Sequence, residues 1–398
     1  MTEGALRVLM IAPTPYFSDR GCHVRIYEEA RALKQLGHEV RIVTYHLGRD
    51  MPGVRVVRIP PVPWYGKLEA GPSWHKPYLD ILLLWKAFVE LRSFRPHLIH
   101  AHLHEGTLVG SVLKFLFRIP LLFDYQGSLS GESLNHGFLQ ETSLLMKLFR
   151  KVEQFIDRRA DHIITSSEKG RQELLGDWGI PADKVSNLMD GVDIDIFRPC
   201  SRSEARRSLG ISDDVKLVVF LGLFNRYQGV DLLLDVISHV KAEASNVRFL
   251  LMGFPDREYQ KKAYEMGIDD IVIFTGRVPY DRAPLYLSAG DLAVSPKLAL
   301  TEANGKLFNY IACGLPAVVF ENQINREILG EDGIYVEHGN TQAFAQAITD
   351  TLRNGESMSL LSTRVRERAI RLHSWSARSQ QLVAVYRTLT AAHSKTIC

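Results

Sequence analysis

Short apolar runs alternate with helically spaced segments along this chain, and the alternation starts over near its middle. In the first half, residues 6–12, 40–45, 54–59, 97–101, 120–125 and 162–165 are apolar runs of strand length. Between the first two, Val24, Tyr27, Ala30, Leu33 and Leu36 recur at helical spacing, and Gly37 closes that helix. The rhythm resumes after Val215 with runs at 218–222, 247–253, 271–276, 292–295 and 317–320, separated by helical stretches such as 231–242. Strands linked by helical crossovers must run parallel, because the crossover returns the chain to the same edge before the next strand begins. The fold class is therefore α/β, with two doubly wound parallel sheets. The joint is expected in the polar stretch 198–210, where both patterns lapse, and residues 374–389 read as one last helix.

A chain of 398 residues has the length of two domains. Its 46% hydrophobic and 23% charged residues are those of a globular protein, and a net charge of +3 gives no bulk attraction for nucleic acid. The four cysteines are far apart and form no CxxC pair, so neither a zinc site nor a disulfide framework is indicated, and a reducing compartment fits. The start MTEGALRVLMIAP lacks the basic and apolar regions of a signal peptide, and the longest apolar stretch, 81–85, is too short to span a bilayer. A cytoplasmic location is expected, with room for peripheral contact at the inner face of a membrane.

Ligands of open parallel sheets bind beyond the carboxyl ends of the strands, so the loops after strands are where chemistry is expected. DRGCHV, at 19–24, opens the first helix, and Gly21 there allows backbone amides to approach a phosphate or simply makes a tight turn. No GxGxxG is present, so a nicotinamide dinucleotide is unsupported. HAHLHE, at 100–105, spaces three histidines by two. His100 and His102 would share one strand face as structural residues, with no carboxylate or cysteine at ligand spacing to make a metal set, while His104 falls past the strand end, where a hydrogen-bonding or acid–base role is open. DGVDIDIF, at 190–197, begins with an Asp190–Gly191 turn signal. GLFNRYQG, at 222–229, repeats the first motif's placement in the second half, with Arg226 as a phosphate neighbour.

The most informative stretch is TEANGKLFNYIACGLP, at 301–316, a polar opening that runs into an apolar helix. Thr301 or Asn304 could cap the helix and Glu302 would favour its dipole, but a cation in the first turn opposes that dipole, so capping leaves Lys306 unexplained. A carboxylate able to accept sugar or ribose hydroxyls beside a cation for phosphates suits a nucleotide-sugar. The helical stretch 144–156 carries Lys147, Arg150 and Lys151. It is expected to face the core with a solvated basic side; the alternative is a membrane-surface helix joined by Trp64, Tyr65 and Trp74.

In their order and spacing, "LKQLGHEV", "HAHLHEG", "MDGVDIDIF", "GLFNRYQGVDLLL", "GKLFNYIACGLPAVV" and a final "SWS…VYRTL" helix resemble the retaining glycosyltransferases of family 4 over nearly the whole chain. The resemblance implies the GT-B fold: two Rossmann-like domains facing a cleft, with a C-terminal helix crossing back to brace the first. The domains would be 1–198 on the acceptor side, 199–371 on the donor side, and 372–398 as the returning helix. It implies a hexosyltransferase-type enzyme moving a sugar from a nucleoside-diphosphate-sugar to a hydroxyl acceptor, lipid-linked or on a surface polysaccharide, with no cofactor and no metal.

Carried onto this sequence, the resemblance assigns His104, beside the transferred sugar, with Glu302 and Lys306 as the catalytic set. It assigns Gly21, Asp190, Gly222, Arg226, Gln228, Arg277, Val278, Asn304, Gly305 and Leu307 to the donor, and His23, Tyr125 and Gln126 to the acceptor. The chain also departs from the family. Leu223 and Gln228 stand where an arginine and a lysine usually meet the diphosphate, and Asn309 stands at the second position of the E-x7-E pair, with Glu302 near the first. Lys306 is the candidate for the missing cation. A nucleotide-sugar 2-epimerase, for which Glu132 is the one nearby acid, and a non-catalytic sugar-nucleotide-binding protein are the alternatives.

Overall fold

The computed structural model describes residues 4–18, 21–68, 75–131, 143–299 and 304–397. The chain divides into two compact units, the first formed by residues up to Asp190 together with the C-terminal helix from Trp375, the second running from Gly191 to Ser374.

In the first unit the elements follow in the order β1 (Arg7–Ala12), α1 (Gly21–Gln35), β2 (Glu39–Thr44), β3 (Arg55–Arg58), α2 (Lys76–Phe94), β4 (Leu98–His102), α3 (Leu103–Phe117), β5 (Leu121–Tyr125), α4 (Leu144–Asp157), β6 (His162–Thr165), α5 (Glu168–Gly176) and β7 (Val185–Asn187). The described strands form one parallel sheet in the order β3-β2-β1-β4-β5-β6-β7. β1 lies between β2 and β4, with Val8 opposite both Val40 and Leu98, so the winding reverses there. Loops leaving β1 and β4 then diverge and open a crevice at their carboxyl ends. β4 and β5 are buried along their whole length, as strands covered on both faces must be.

The second unit runs α6 (Arg202–Leu209), β8 (Lys216–Leu221), α7 (Val230–Glu243), β9 (Val247–Met252), α8 (Arg257–Glu265), β10 (Val272–Gly276), α9 (Ala283–Ser288), β11 (Leu292–Ser295), α10 (Lys306–Ala312), β12 (Ala317–Phe320), α11 (Gln323–Leu329), β13 (Ile334–Val336), α12 (Thr341–Arg353) and α13 (Gly355–Leu372). Its parallel sheet has the order β10-β9-β8-β11-β12-β13, again reversing beside the first strand of the unit. Val218, Phe220, Phe249, Leu251 and Val294 fill the core against Leu233, Ile237 and Val240 of α7. The last helix, α14 (Trp375–Ile397), packs on α1 of the first unit, where the Tyr386 hydroxyl lies 2.7 Å from His100 Nδ1.

Two expectations need correction, and two short strands add to the sequence reading. The stretch 198–210 is not a structureless joint: it contains α6, capped by Ser201 accepting from the Glu204 amide and closed by Gly210 at φ 69°. Its polar composition is that of a short surface helix, and the division between units falls earlier, after Asp190. β7 and β13 have only three residues each, too few for a period to show. Finally, α4 does not turn its apolar side to the core. Leu144, Leu145, Leu148, Val152 and Phe155 are exposed, and the buried side carries Met146, Ile156 and two acids, Glu153 and Asp157.

Candidate active site

In the second unit the site forms where β8 and β11 end. The loop after β8 is held by backbone bonds from Gly222 to Met252 (2.9 Å) and from Phe224 to Phe254 (2.8 Å), and by the Gln228 amide donating to Asn225 Oδ1 (2.9 Å). Gly229, at φ 74°, ends the loop against the strand beyond it: a Cβ there would sit 1.9 Å from the Pro296 carbonyl oxygen, so only glycine fits. The amides of Leu298 and Ala299 donate to the Tyr227 carbonyl, which ties the two loops together.

Into this corner α10 sends its first side chain. Lys306 Nζ donates to Gln228 Oε1 at 2.7 Å, lies 4.2 Å over the Phe220 ring, and occupies the space a Cβ on Gly222 would need, 2.7 Å away. Among the described residues no carboxylate lies within ion-pair distance of it. Burial first, and the nearby Lys297 second, hold its pKa well below the ordinary lysine value. Two cations converge here, with Lys297 itself buried. Burying the Lys306 ammonium costs free energy, which an anion beside it would relieve.

The start of α10 itself contributes less than the sequence suggested. The helix has seven residues, and the Leu307 and Phe308 amides are already bonded to the Asn304 and Gly305 carbonyls (3.0 and 3.2 Å). An anion there meets the Lys306 ammonium and not a row of free amides. Leu307 is fully buried, and Asn304 is locked in a buried network, its side-chain nitrogen donating to Ser295 Oγ (3.1 Å) and Asn325 Oδ1 (2.9 Å). Arg226 is exposed, as is Arg277, whose guanidinium lies 4.0 Å over the Phe254 ring; Val278 is buried beside it.

In the first unit, one turn of backbone sets the histidines. Leu103, the first residue of α3 directly after β4, has φ 61°, a conformation that costs a side-chain-bearing residue about 1–3 kcal/mol. This turn leaves His102 at the end of the strand and places His104 in the first turn of α3. His100 and His102 do share a strand face, with ring centroids 4.3 Å apart. Contrary to the sequence reading, carboxylates accompany them: Asp124 Oδ2 lies 2.8 Å from His102 Nδ1 and Glu29 Oε2 lies 3.9 Å from His100 Nε2. Glu29, His100, His102 and Asp124 are close enough to ligate one cation, but a guanidinium already supplies the charge. Arg25 Nε donates to both Asp124 oxygens at 3.0 Å, and its NH1 meets Asp190 Oδ1 at 2.6 Å and the Leu188 carbonyl at 3.0 Å.

Burial pushes the Glu29 carboxyl well up, with Arg25 only partly offsetting it. Burial also opposes ionisation of Asp124, but Arg25 and then His102 overcome it and hold that carboxyl below the usual range. The cluster is thus an ion-paired lattice under the ends of β4 and β5, which fixes Asp190 and, through Gln126 Nε2 donating to Asp124 Oδ2 (2.7 Å), the loop beyond β5.

His104 points inward. Its Nε2 is 3.3 Å from Asp157 Oδ1 and 3.5 Å from Glu153 Oε1, poorly aligned for hydrogen bonding, so the attraction is electrostatic. Burial alone would lower its pKa, but Asp157, Glu153 and Glu105 raise it. Glu153 in turn accepts from the Leu129 and Ser130 amides, at 2.8 and 3.2 Å. His23 is fully buried, its Nε2 2.5 Å from Thr14 Oγ1 and its Nδ1 accepting from the Ser18 amide at 3.0 Å. Tyr125 is buried too, its ring 5.4 Å from that of His104.

Comparison with known proteins decides the family. A glycosyl transferase 4-like domain matches residues 20–188, and a glycosyl transferases group 1 domain matches residues 215–354. The chain belongs to the family 4 glycosyltransferases. A D-inositol 3-phosphate glycosyltransferase of Thermobispora bispora is 26% identical over 393 residues, covering 92% of this chain and 89% of the relative. A sulfoquinovosyl transferase of Arabidopsis thaliana is 24% identical, covering 94% and 72%. Among solved structures, sucrose-phosphate synthase from Thermosynechococcus elongatus superposes with a TM-score of 0.82 at 21% identity over 97% of this chain and 100% of that one. Anabaena HepE in complex with UDP-glucose gives 0.76 at 17% identity over 96% and 100%. The fold is GT-B, and the relatives carry transferase names, in line with transfer over epimerisation.

Within the glycosyltransferase, Gly222, Gln228 and Lys306 come together as one group, and Asp190, Tyr125, Gln126 and His104 gather around the ends of β4 and β5. Gly21 opens α1, and Gly305 precedes α10. Glu302, Thr301, Glu132 and Trp74 lie outside the described residues. The sequence reading missed Arg25, Glu29, Asp124 and Lys297. Three of these left a signal. Arg25 and Glu29 are an i, i+4 ion pair (3.1 Å) on the buried side of α1, and Asp124 interrupts the otherwise apolar run LLFDY.

Proposed function

We propose that this glycosyltransferase moves a sugar from a nucleoside diphosphate to a hydroxyl with retention of configuration. The carrying observation is Lys306: a buried ammonium whose described hydrogen-bond acceptor is a neutral amide, beside a second lysine, where β8 and β11 end. The donor's diphosphate is the anion that suits this corner. As the bond from the anomeric carbon to the diphosphate oxygen breaks, charge grows on that oxygen and Lys306 stabilises it. The acceptor oxygen bonds the same carbon from the same face, and its proton passes to the departing diphosphate.

Front-face displacement with retention needs no protein nucleophile, and His104 Nε2, turned toward Asp157 and Glu153, is not placed to act as one. His104 then acts by holding α4 and the loop after β5, next to the acceptor residues Tyr125, which ends β5, and Gln126, which begins the loop. The acceptor is read as a lipid-linked saccharide or glycolipid. Incubation with a panel of nucleoside-diphosphate-sugars tests the reading: transfer or slow donor hydrolysis with release of diphosphate supports it, and epimerised donor with no release sinks it.

A further inference from the structure

The helix α4 is built the wrong way round for a soluble surface. Its apolar arc faces outward, with Leu144 82%, Leu148 55% and Phe155 50% exposed, while Glu153 and Asp157 face inward. An ordinary surface helix turns its apolar stripe to the core. α4 does not stand alone. It packs beside α3, and α3 beside α2, so the three share one face of the first unit's sheet. Phe115 of α3 is 84% exposed, and Ile81 and Trp85 of α2, one turn apart, are 67% and 54% exposed. A run of large apolar side chains across three adjacent helices marks an interaction surface and not scattered exposure.

Charge says what covers it. Arg92, Lys147, Arg150 and Lys151 on these helices are exposed, whereas each acid on them, Asp80, Glu90, Glu105, Glu153 and Asp157, is buried or half-buried, and most are engaged. On α4 the exposed apolar arc lies directly beside an arc holding Lys147, Lys151 and Arg158. The Arg159 guanidinium lies 4.0 Å over the exposed Phe155 ring, as long cationic side chains do when they reach from an apolar layer toward headgroups. Trp64, 73% exposed, stands ahead of α2 with its indole nitrogen donating to the Tyr78 hydroxyl. An apolar arc edged with cations and aromatic residues fits the headgroup boundary of an anionic bilayer. No described helix is long and apolar enough to cross a membrane, so contact would be with one leaflet.

We propose that the outward faces of α2, α3 and α4 seat the protein on an anionic lipid surface. The argument rests on neither the donor site nor the transfer reaction, and its test uses neither. The full chain is floated with phosphatidylcholine vesicles and with the same vesicles containing phosphatidylglycerol, at rising salt. Binding to the anionic vesicles that weakens with salt is expected. Replacing both apolar anchors, Leu148→Glu with Phe155→Glu, should reduce binding roughly tenfold or more. Lys147→Glu with Lys151→Glu should reduce it about fivefold for each residue while leaving the apolar surface intact. Unchanged circular dichroism and melting confirm that the variants fold. Absence of binding to either vesicle overturns the proposal. So does light scattering that shows a dimer dissolved by Leu148→Glu with Phe155→Glu, because the surface would then join two copies of the chain.

Discussion

Lys306→Met is the substitution that isolates the ammonium, since methionine keeps most of the length and none of the charge. In the unliganded protein two favourable contacts are lost. The bond to Gln228, at 2.7 Å, is a charged donor to a neutral acceptor, worth about 1.5–3 kcal/mol, and the contact with the Phe220 ring, at 4.2 Å, about 0.5–2 kcal/mol. Against these stands relief of the desolvation that holds the Lys306 pKa down. That relief opposes the loss of the contacts, so the folded state should lose less than the two contacts together are worth. Catalysis should change far more: a lost donor to a developing oxyanion lowers kcat/KM on the order of 10²–10³-fold, about 2.7–4 kcal/mol of transition-state stabilisation.

Proton linkage supplies an independent reading of the same residue. A lysine whose folded pKa is lowered binds fewer protons than in the unfolded chain, so its contribution makes stability rise with pH between that lowered value and the ordinary 10.5. A bound diphosphate pulls the pKa back up. Donor binding above the lowered value should therefore take up a proton, seen as a buffer-dependent heat in titration calorimetry, and affinity should fall as pH rises through it. In Lys306→Met both the proton uptake and the donor-induced rise in melting temperature should vanish; for the native protein the rise corresponds to about 2.7 kcal/mol at a hundredfold excess over Kd. A variant with kcat/KM within about threefold of native and an intact donor shift would refute the assignment.

Gly222→Ala leaves Lys306 in place but puts a methyl group 2.7 Å from its Nζ, at a φ of 154°; donor binding should fall at least about tenfold in calorimetry while melting shifts by only a few degrees. His104→Ala removes the partner of two buried acids and should lower stability by about 3 kcal/mol in denaturant titration. The sign follows from a raised imidazole pKa: the native contribution is fully present below the ordinary 6.5 and is lost as pH rises through the raised value, so the deficit should narrow in alkaline buffer. Burial pushes the Asp80 carboxyl to about 7, with Glu105 adding to it and the Tyr45 hydroxyl (2.6 Å) opposing. Because a raised carboxyl pKa makes stability fall as pH climbs toward 7, Asp80→Asn should raise the melting temperature above pH 7, by on the order of 1 kcal/mol after allowing for its partial exposure, and leave it nearly unchanged at pH 5.

The two sheets were legible because a strand buried on both faces leaves an unbroken apolar run. Residues 162–165, 292–295 and 317–320 were read with their observed bounds for that reason. Order within each sheet was not legible, since β1 pairs with β4 across ninety residues that contain two other strands. The site was legible in part on the same grounds. Lys306 stood out because a cation at a helix start conflicts with local electrostatics, and a local conflict can be seen in a local sequence. Arg25, Glu29 and Asp124 leave only weak local marks, and their joint role shows once the winding of α1 against β4 and β5 brings them together.

Helix α4 shows the limit from the other side. Periodicity fixes which residues share an arc, and the sequence reading expected the arc opposite Lys147, Arg150 and Lys151 to face the core. It carries no information on which arc faces the sheet. Here the choice is made by His104, which draws Glu153 and Asp157 inward; α4 cannot satisfy that pairing and bury its leucines at once, because the two arcs lie on different sides of the helix. The amides of Leu129 and Ser130, bonded to Glu153, hold the arrangement from the loop side. One buried electrostatic contact thus ties the loop after β5 to the orientation of the exposed leucines. It follows that His104→Ala should weaken vesicle binding as well as stability, whereas a substitution at Lys306 should leave vesicle binding untouched.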